Sequence, residues 1–331
     1  MSAKRNDGEL DRREFLKTAT AGAVGLGLTG MTARSLMADE GRQPADRVKT
    51  RPLGKTGMTV SVIGFGCGGM NPQLVPLLQT AYENGITLFD TAWGYGRGQS
   101  EVAVGQFVET LKDRESIHIV TKTTGWRPPD GSTKAVYEAL KGHLTESLKR
   151  LKSEYVDLFY WPHGASSPDA TRSKSCREAL LKLKEEQLIR HVGTSSHTNY
   201  AATCEAAVKD GFYEALMPVI NICTQNPDKA GPVQAGRRRG RGRTIEDTRS
   251  MLEEAKRKKV GIIGMKVANG GYLGANTDAL LAKAFPEETG LSRHQKLYTW
   301  MLQQEGIAAV LVGLRKVTDL KEAIAVGKAA T

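Results

Sequence analysis

The sequence predicts a closed α/β barrel of eight parallel strands, the (β/α)8 or TIM barrel arrangement, with a β-hairpin ahead of it, and three features carry that reading. From Val60 onward, short apolar runs alternate with amphipathic stretches eight times. The runs are near-continuous rather than alternating, as parallel strands covered on both faces require. Polar residues gather just after them, on the face where such barrels carry their sites.

The strand segments are 60–65, 87–92, 118–122, 156–161, 191–195, 217–223, 260–266 and 309–314. A helical stretch follows each. After the first, Asn71 is placed to cap a helix and Pro72 suits its first position. Leu74, Leu77, Leu78, Ala81 and Tyr82 then form one apolar stripe, and Gly85 can end the helix in a left-handed conformation. Val136, Leu140, Leu144, Leu148 and Leu151 repeat the stripe after the third strand. Eight alternations favour a closed barrel over an open sheet. Ahead of them, R-P-L-G-K-T-G-M-T-V at 51–60 sets Gly54 and Gly57 around Lys55-Thr56. That is the pattern of a tight turn between two short strands, a hairpin able to plug the N-terminal end of the barrel.

The composition is that of a globular protein: 331 residues, 40% hydrophobic and 25% charged, so a core of ordinary size can form. The formal net charge is +11. Part of the excess lies near the N-terminus and part in G-R-R-R-G-R-G-R at 236–243, expected on the rim after the sixth strand. No aromatic residues interleave these arginines and no nucleic-acid motif is present, so nucleic acid is not an expected partner. The loop reads as a solvated excursion, with attraction of an anionic substrate as the alternative. Cys67, Cys176, Cys204 and Cys223 are widely spaced with no C-x-x-C pair, which indicates neither a zinc ribbon nor a disulfide scaffold.

Residues 11–17 read D-R-R-E-F-L-K, and a weakly apolar stretch at 19–31 follows. At about 13 residues it is shorter than the roughly 20 that span a bilayer. Gly22, Gly25, Gly27 and Gly30 oppose a stable helix. The segment resembles a twin-arginine (Tat) signal centred on Arg12 and Arg13. The resemblance implies export of a folded, cofactor-loaded protein to the periplasm by the Tat machinery. Neither 31–33 nor 36–38 is a clean small-x-small site, which keeps an uncleaved membrane anchor open. The chain therefore divides into signal and linker, 1–45, and barrel, 46–331.

The strand ends supply a chemical set. The second ends F-D-T-A-W-G-Y-G, bringing Asp90 and Tyr95; the third brings Lys122; the fourth ends Y-W-P-H-G, bringing His163. With R-P-L-G-K-T-G-M-T-V-S at 51–61, G-F-G at 64–66 and G-T-S-S at 193–196, these residues resemble the aldo-keto reductase family from about residue 49 to the end. The resemblance implies a nicotinamide-dependent oxidoreductase acting on a small carbonyl or sugar-like substrate, using NADPH or NADH. Carbonyl reduction needs a hydride at carbon and a proton at oxygen. Tyrosine, with a pKa near 10, is a poor donor unless an ammonium stabilises its anion. Tyr95 is then the acid, Lys122 its tuner, Asp90 the partner that keeps Lys122 charged, and His163 the group that orients the substrate oxygen.

No G-x-G-x-x-G opens a helix, so a Rossmann half is not expected. By the same resemblance, Ser195 and Ser196 hold the nicotinamide carboxamide together with Asn221, where the family has Ser-Asn and Gln. Gly66 and Cys67 lie beside the cofactor, Lys266 near its pyrophosphate, and Arg315 near the adenosine end. The last loop departs from the family pattern at Gly313, Leu314, Asp319 and Ala323, with Glu322 kept, which leaves the choice between NADPH and NADH open. Trp93, Trp126 and Trp161 are candidate pocket walls. An exported, non-catalytic barrel serving as a binding or regulatory subunit is the alternative reading. A metal-dependent isomerase would need several carboxylates or histidines at the strand ends, and no metal ligands are expected.

Overall fold

The computed structural model describes residues 46–123, 131–164, 167–233 and 244–331. These belong to one compact unit, Pro44–Thr331. The signal segment with Arg12 and Arg13, Trp126 and the arginine-rich stretch 236–243 lie outside the described residues.

The chain opens with an antiparallel hairpin, β1 (Thr50–Pro52) and β2 (Thr59–Ser61), in which Arg51 faces Val60. Gly54 and Gly57 take positive φ, +55° and +80°, as the turn demands. The Thr56 hydroxyl closes the turn by donating to the Leu53 carbonyl at 2.7 Å. A Cβ on Gly54 would lie 2.3 Å from the Gly261 nitrogen, so the turn sits directly against the foot of a barrel strand. Leu53, Met58 and Val60 join the cluster inside the barrel with Leu88, Val120, Leu158, Tyr160 and Ile263. The hairpin is thus a plug, as the sequence predicts.

Eight parallel strands close the barrel: β3 (Ile63–Gly66), β4 (Leu88–Asp90), β5 (His118–Lys122), β6 (Val156–His163), β7 (Ile189–Ser196), β8 (Ala215–Pro218), β9 (Gly261–Gly264) and β10 (Ile307–Gly313), with β10 returning to β3. The helices around them are α1 (Val75–Glu83), α2 (Gln99–Val108), α3 (Thr133–Leu151), α4 (Lys174–Glu185), α5 (Tyr200–Asp210), α6 (Pro227–Ala230), α7 (Arg249–Lys258), α8 (Thr277–Ala284), α9 (Arg293–Leu302) and α10 (Val317–Ala329). Their apolar stripes cover the outer strand faces in a second, larger cluster that includes Phe65, Phe89, Phe107, Leu140 and Leu144. Both strand faces are therefore buried, which is why the runs read as continuous. Gly85 has φ +94° where the first helix ends.

Most strand ends shift by one to three residues, and three segments depart from the sequence reading in a way that matters for the site. The segment at 60–65 is two strands, because the Ser61 hydroxyl turns the chain by donating to the Ile63 carbonyl and accepting from the Thr87 and Leu88 amides. Val60 belongs to the hairpin. The sixth strand begins earlier than expected, at Ala215, and ends at Pro218 rather than 223. Apolar residues continue there, but Asn221 folds them into a turn by accepting from the Cys223 and Thr224 amides at 2.9 and 3.2 Å. The seventh strand stops at Gly264, and Lys266 lies beyond it at φ +60°.

Candidate active site

Asp90 and Lys122 are the last residues of the neighbouring strands β4 and β5, and both are buried. The Lys122 ammonium donates to Asp90 Oδ2 at 2.5 Å and to the Thr91 carbonyl at 2.7 Å. Its nitrogen lies 5.2 Å from the centre of the Tyr95 ring. Tyr95 stands on the segment after β4, half-buried, and that segment is tied to β5 by the Trp93 amide donating to the carbonyl of Lys122 at 2.9 Å.

The electrostatics follow from this packing. Burial alone would neutralise Lys122, but Asp90 and Tyr95 raise its pKa above the ordinary lysine value, so it stays charged. Burial lifts the Asp90 pKa, with Lys122 opposing. For Tyr95 the largest single influence is the Lys122 ammonium, which pulls its pKa down. Burial, the Asp90 carboxylate and Cys67 push it up by more, leaving the phenol above its ordinary value. The depression that the sequence reading assigns to Lys122 is present but outweighed in the protein alone. Tyr95 rests protonated.

His163 ends β6 opposite Ser195 of β7, just past an irregularity in the pairing. Its Nδ1 shares a hydrogen bond of 2.5 Å with the Ser195 hydroxyl. Its ring meets that of His197 nearly at right angles, with centroids 5.5 Å apart. Burial first, then the charges of Lys122, His197 and Lys266, push its pKa down to about 2, so the imidazole is neutral.

A cavity of about 510 Å³ opens at this end of the barrel, and Asp90 and Tyr95 stand in its wall. Of the other sequence candidates, Gly66, Lys266 and Arg315 also line it. Lys122, His163, Ser195, Cys67, Ser196 and Asn221 are not in that wall, and the last three are each buried and engaged in a structural contact. The Cys67 thiol contacts the Phe65 carbonyl at 3.6 Å, and burial pushes its pKa well up. The Ser196 hydroxyl donates to the Thr198 carbonyl at 2.8 Å. The Asn221 amide donates to the Tyr272 carbonyl at 3.0 Å while its oxygen holds the turn already described. Trp161 is buried, and Trp93 donates from Nε1 to Glu146 at 2.8 Å.

The sequence reading missed His197, Gly68 and Gly69, and also His294 and Tyr298 on α9, all in the cavity wall. His197 directly follows G-T-S-S, which was a readable signal. His294 and Tyr298 are one helical turn apart, but nothing in the sequence aims that helix at the site. A Cβ on Gly69 would lie 2.2 Å from Arg315 Nε, so Arg315 reaches across from the end of β10 to the loop after β3. Among the described residues, no group of three His, Cys, Asp or Glu side chains is arranged to hold a metal ion.

Residues 63–330 match the model of the aldo/keto reductase family. The chain is 28% identical over 287 residues to an uncharacterized oxidoreductase, YqkF, of Bacillus subtilis, spanning 84% of this chain and 90% of that one. Among solved structures it is similar to the aldo-keto reductase AKR11C1 of Bacillus halodurans in its holo form, with TM-score 0.65, 22% identity and coverage of 85% and 91%. It is also similar to the thermostable aldo-keto reductase Tm1743, with TM-score 0.62, 23% identity and coverage of 84% and 93%.

Proposed function

The chain belongs to the aldo/keto reductase family of oxidoreductases, and from that premise we propose that it moves a hydride between a nicotinamide cofactor and the carbonyl or alcohol carbon of a small substrate, with Tyr95 as general acid and base. The observation that supports this most is that Asp90 and Tyr95 stand in the cavity wall with the buried Lys122 ammonium beside both.

The residues present fit a dinucleotide. Gly66 and Gly68 bring backbone without side chains to the cavity wall, Gly69 leaves room for Arg315 to lie against the loop, and Lys266 and Arg315 bring cations suited to phosphates. The group, when bound, supplies or accepts the hydride. Tyr95 gives its proton to the oxygen of the substrate as the carbon is reduced, and Lys122 stabilises the phenolate left behind. Asp90 keeps Lys122 protonated and aimed through that change. Neutral His163, oriented by Ser195, has a ring nitrogen left to bind the substrate oxygen. In the oxidative direction the same groups act in reverse, Tyr95 accepting the proton. No observation favours the non-catalytic alternative.

We propose further that residues 1–45 serve as a twin-arginine signal and linker, so that the loaded barrel works in the periplasm. Retaining the protein in the cytoplasm with Arg12→Lys and Arg13→Lys would allow the bound nucleotide to be identified. A panel of aldehydes, ketones and sugars would then be screened for its oxidation. Absence of any nucleotide binding would remove the proposal.

A further inference from the structure

The segment that carries Tyr95 has an unusual backbone. Gly96, Arg97 and Gly98 all take left-handed conformations, with φ of 58°, 56° and 88°. Glycine tolerates this, but for Arg97 it costs on the order of 1 kcal/mol. Such a segment holds its shape only where its surroundings impose it.

Those surroundings converge on one side chain. Arg150, near the end of α3, donates from Nη1 to the Trp93 carbonyl at 3.1 Å, and the same nitrogen lies 3.2 Å from Glu101 Oε2. Its Nη2 pairs with Glu146 at 3.1 Å, and Glu146 in turn accepts from Trp93 Nε1. A Cβ on Gly98 would lie 2.4 Å from Arg150 Nη1, so the guanidinium rests against the left-handed turn itself. Glu101, the third residue of α2, is fully buried, and its other oxygen accepts from the Thr121 hydroxyl at 2.7 Å. Thr121 immediately precedes Lys122.

We infer that the Glu101–Arg150 pair is a positioning device that fixes the Tyr95 segment against the strand bearing Lys122, and so sets the distance between phenol and ammonium. Neither residue lines the cavity. Their action passes through the Trp93 carbonyl on one side and Thr121 on the other. A planar guanidinium suits this task because its fork donates to the Trp93 carbonyl and to Glu146 at once while its charge faces the buried Glu101 carboxylate; a lysine ammonium lacks that fork. The inference rests on Tyr95 being the acid.

Arg150→Lys and Glu101→Gln test it, each read by hydrogen exchange of the free protein, nucleotide affinity and turnover. In Arg150→Lys, amides of 91–98 are expected to lose protection by about tenfold or more while the rest of the barrel keeps its own. Turnover should fall by about tenfold with nucleotide affinity kept within about twofold, because a small misplacement of an acid weakens chemistry rather than binding. Glu101→Gln should move both readouts in the same direction, by less. Unchanged exchange at 91–98 together with unchanged turnover would overturn the inference. So would global unfolding of both variants, because the pair would then support the fold at large. Tyr95→Phe, measured in parallel, keeps the two ideas apart. Full turnover by Tyr95→Phe would sink the acid reading, while local loss of protection in Arg150→Lys would still uphold the pair as anchor of the segment.

Discussion

Lys122 and Asp90 form an ion pair 2.5 Å long at the ends of adjacent barrel strands, with side-chain exposures of only 1% and 5%. Removing one charge from such a pair leaves the other buried and uncompensated, at a cost of roughly 3–5 kcal/mol. Asp90→Asn is therefore expected to lower the melting temperature and turnover together. Lys122→Met should abolish turnover, because no cation is left to stabilise a phenolate. Thermal melts and steady-state kinetics check both.

Ser195 shares its hydroxyl with His163 Nδ1, so Ser195→Ala should release the ring rather than act through the cofactor alone. The expected result is a KM for the carbonyl substrate raised by about tenfold, from a lost hydrogen bond of about 1–1.5 kcal/mol. Nucleotide affinity measured by titration should change less.

His163 also leaves a pH signature on stability. Its folded pKa, about 2, lies below its ordinary value, so the unfolded chain takes up a proton near pH 6.5 that the fold refuses. Its contribution is therefore complete above that pH and declines as pH falls, by up to about 1.4 kcal/mol per unit. Denaturant unfolding at pH 7 and pH 5 should show a smaller acid loss in His163→Asn than in the native chain. Equal losses would mean that the imidazole is protonated in the fold.

Lys266 and Arg315 stand in the cavity wall as its cationic side chains. Arg315→Gln and Lys266→Met are each expected to weaken dinucleotide binding by about tenfold, the size of a charge-assisted hydrogen bond of about 1.5–3 kcal/mol. Both losses should shrink as ionic strength rises. Calorimetric titration at two salt concentrations checks this.

Much of the molecule was legible because barrel strands and barrel helices leave separate marks. Continuous apolar runs such as 118–122 and stripes such as Val136 to Leu151 gave the architecture. Asp90, Tyr95 and Lys122 were readable because the barrel topology fixes which end of a strand faces the site. The roles expected of Ser195 and Asn221 were less so, because a hydroxyl or an amide suits a cofactor and a turn equally well. In the fold Ser195 shares a hydrogen bond with His163, and Asn221 holds the 221–224 turn. The Glu101–Arg150 pair joins residues 49 positions apart in sequence, and no periodicity announces that kind of contact.

The central claim is that Tyr95 passes the proton. Tyr95→Phe removes one oxygen and keeps the ring that packs beside Lys122, so it is the most direct probe. A single turnover of the nucleotide-loaded protein, followed by the loss of reduced-nicotinamide absorbance on mixing with a reactive carbonyl, is expected to slow by about a hundredfold or more, with nucleotide affinity kept. Turnover within about twofold of the native chain would contradict the account, because the proton would then come from another group.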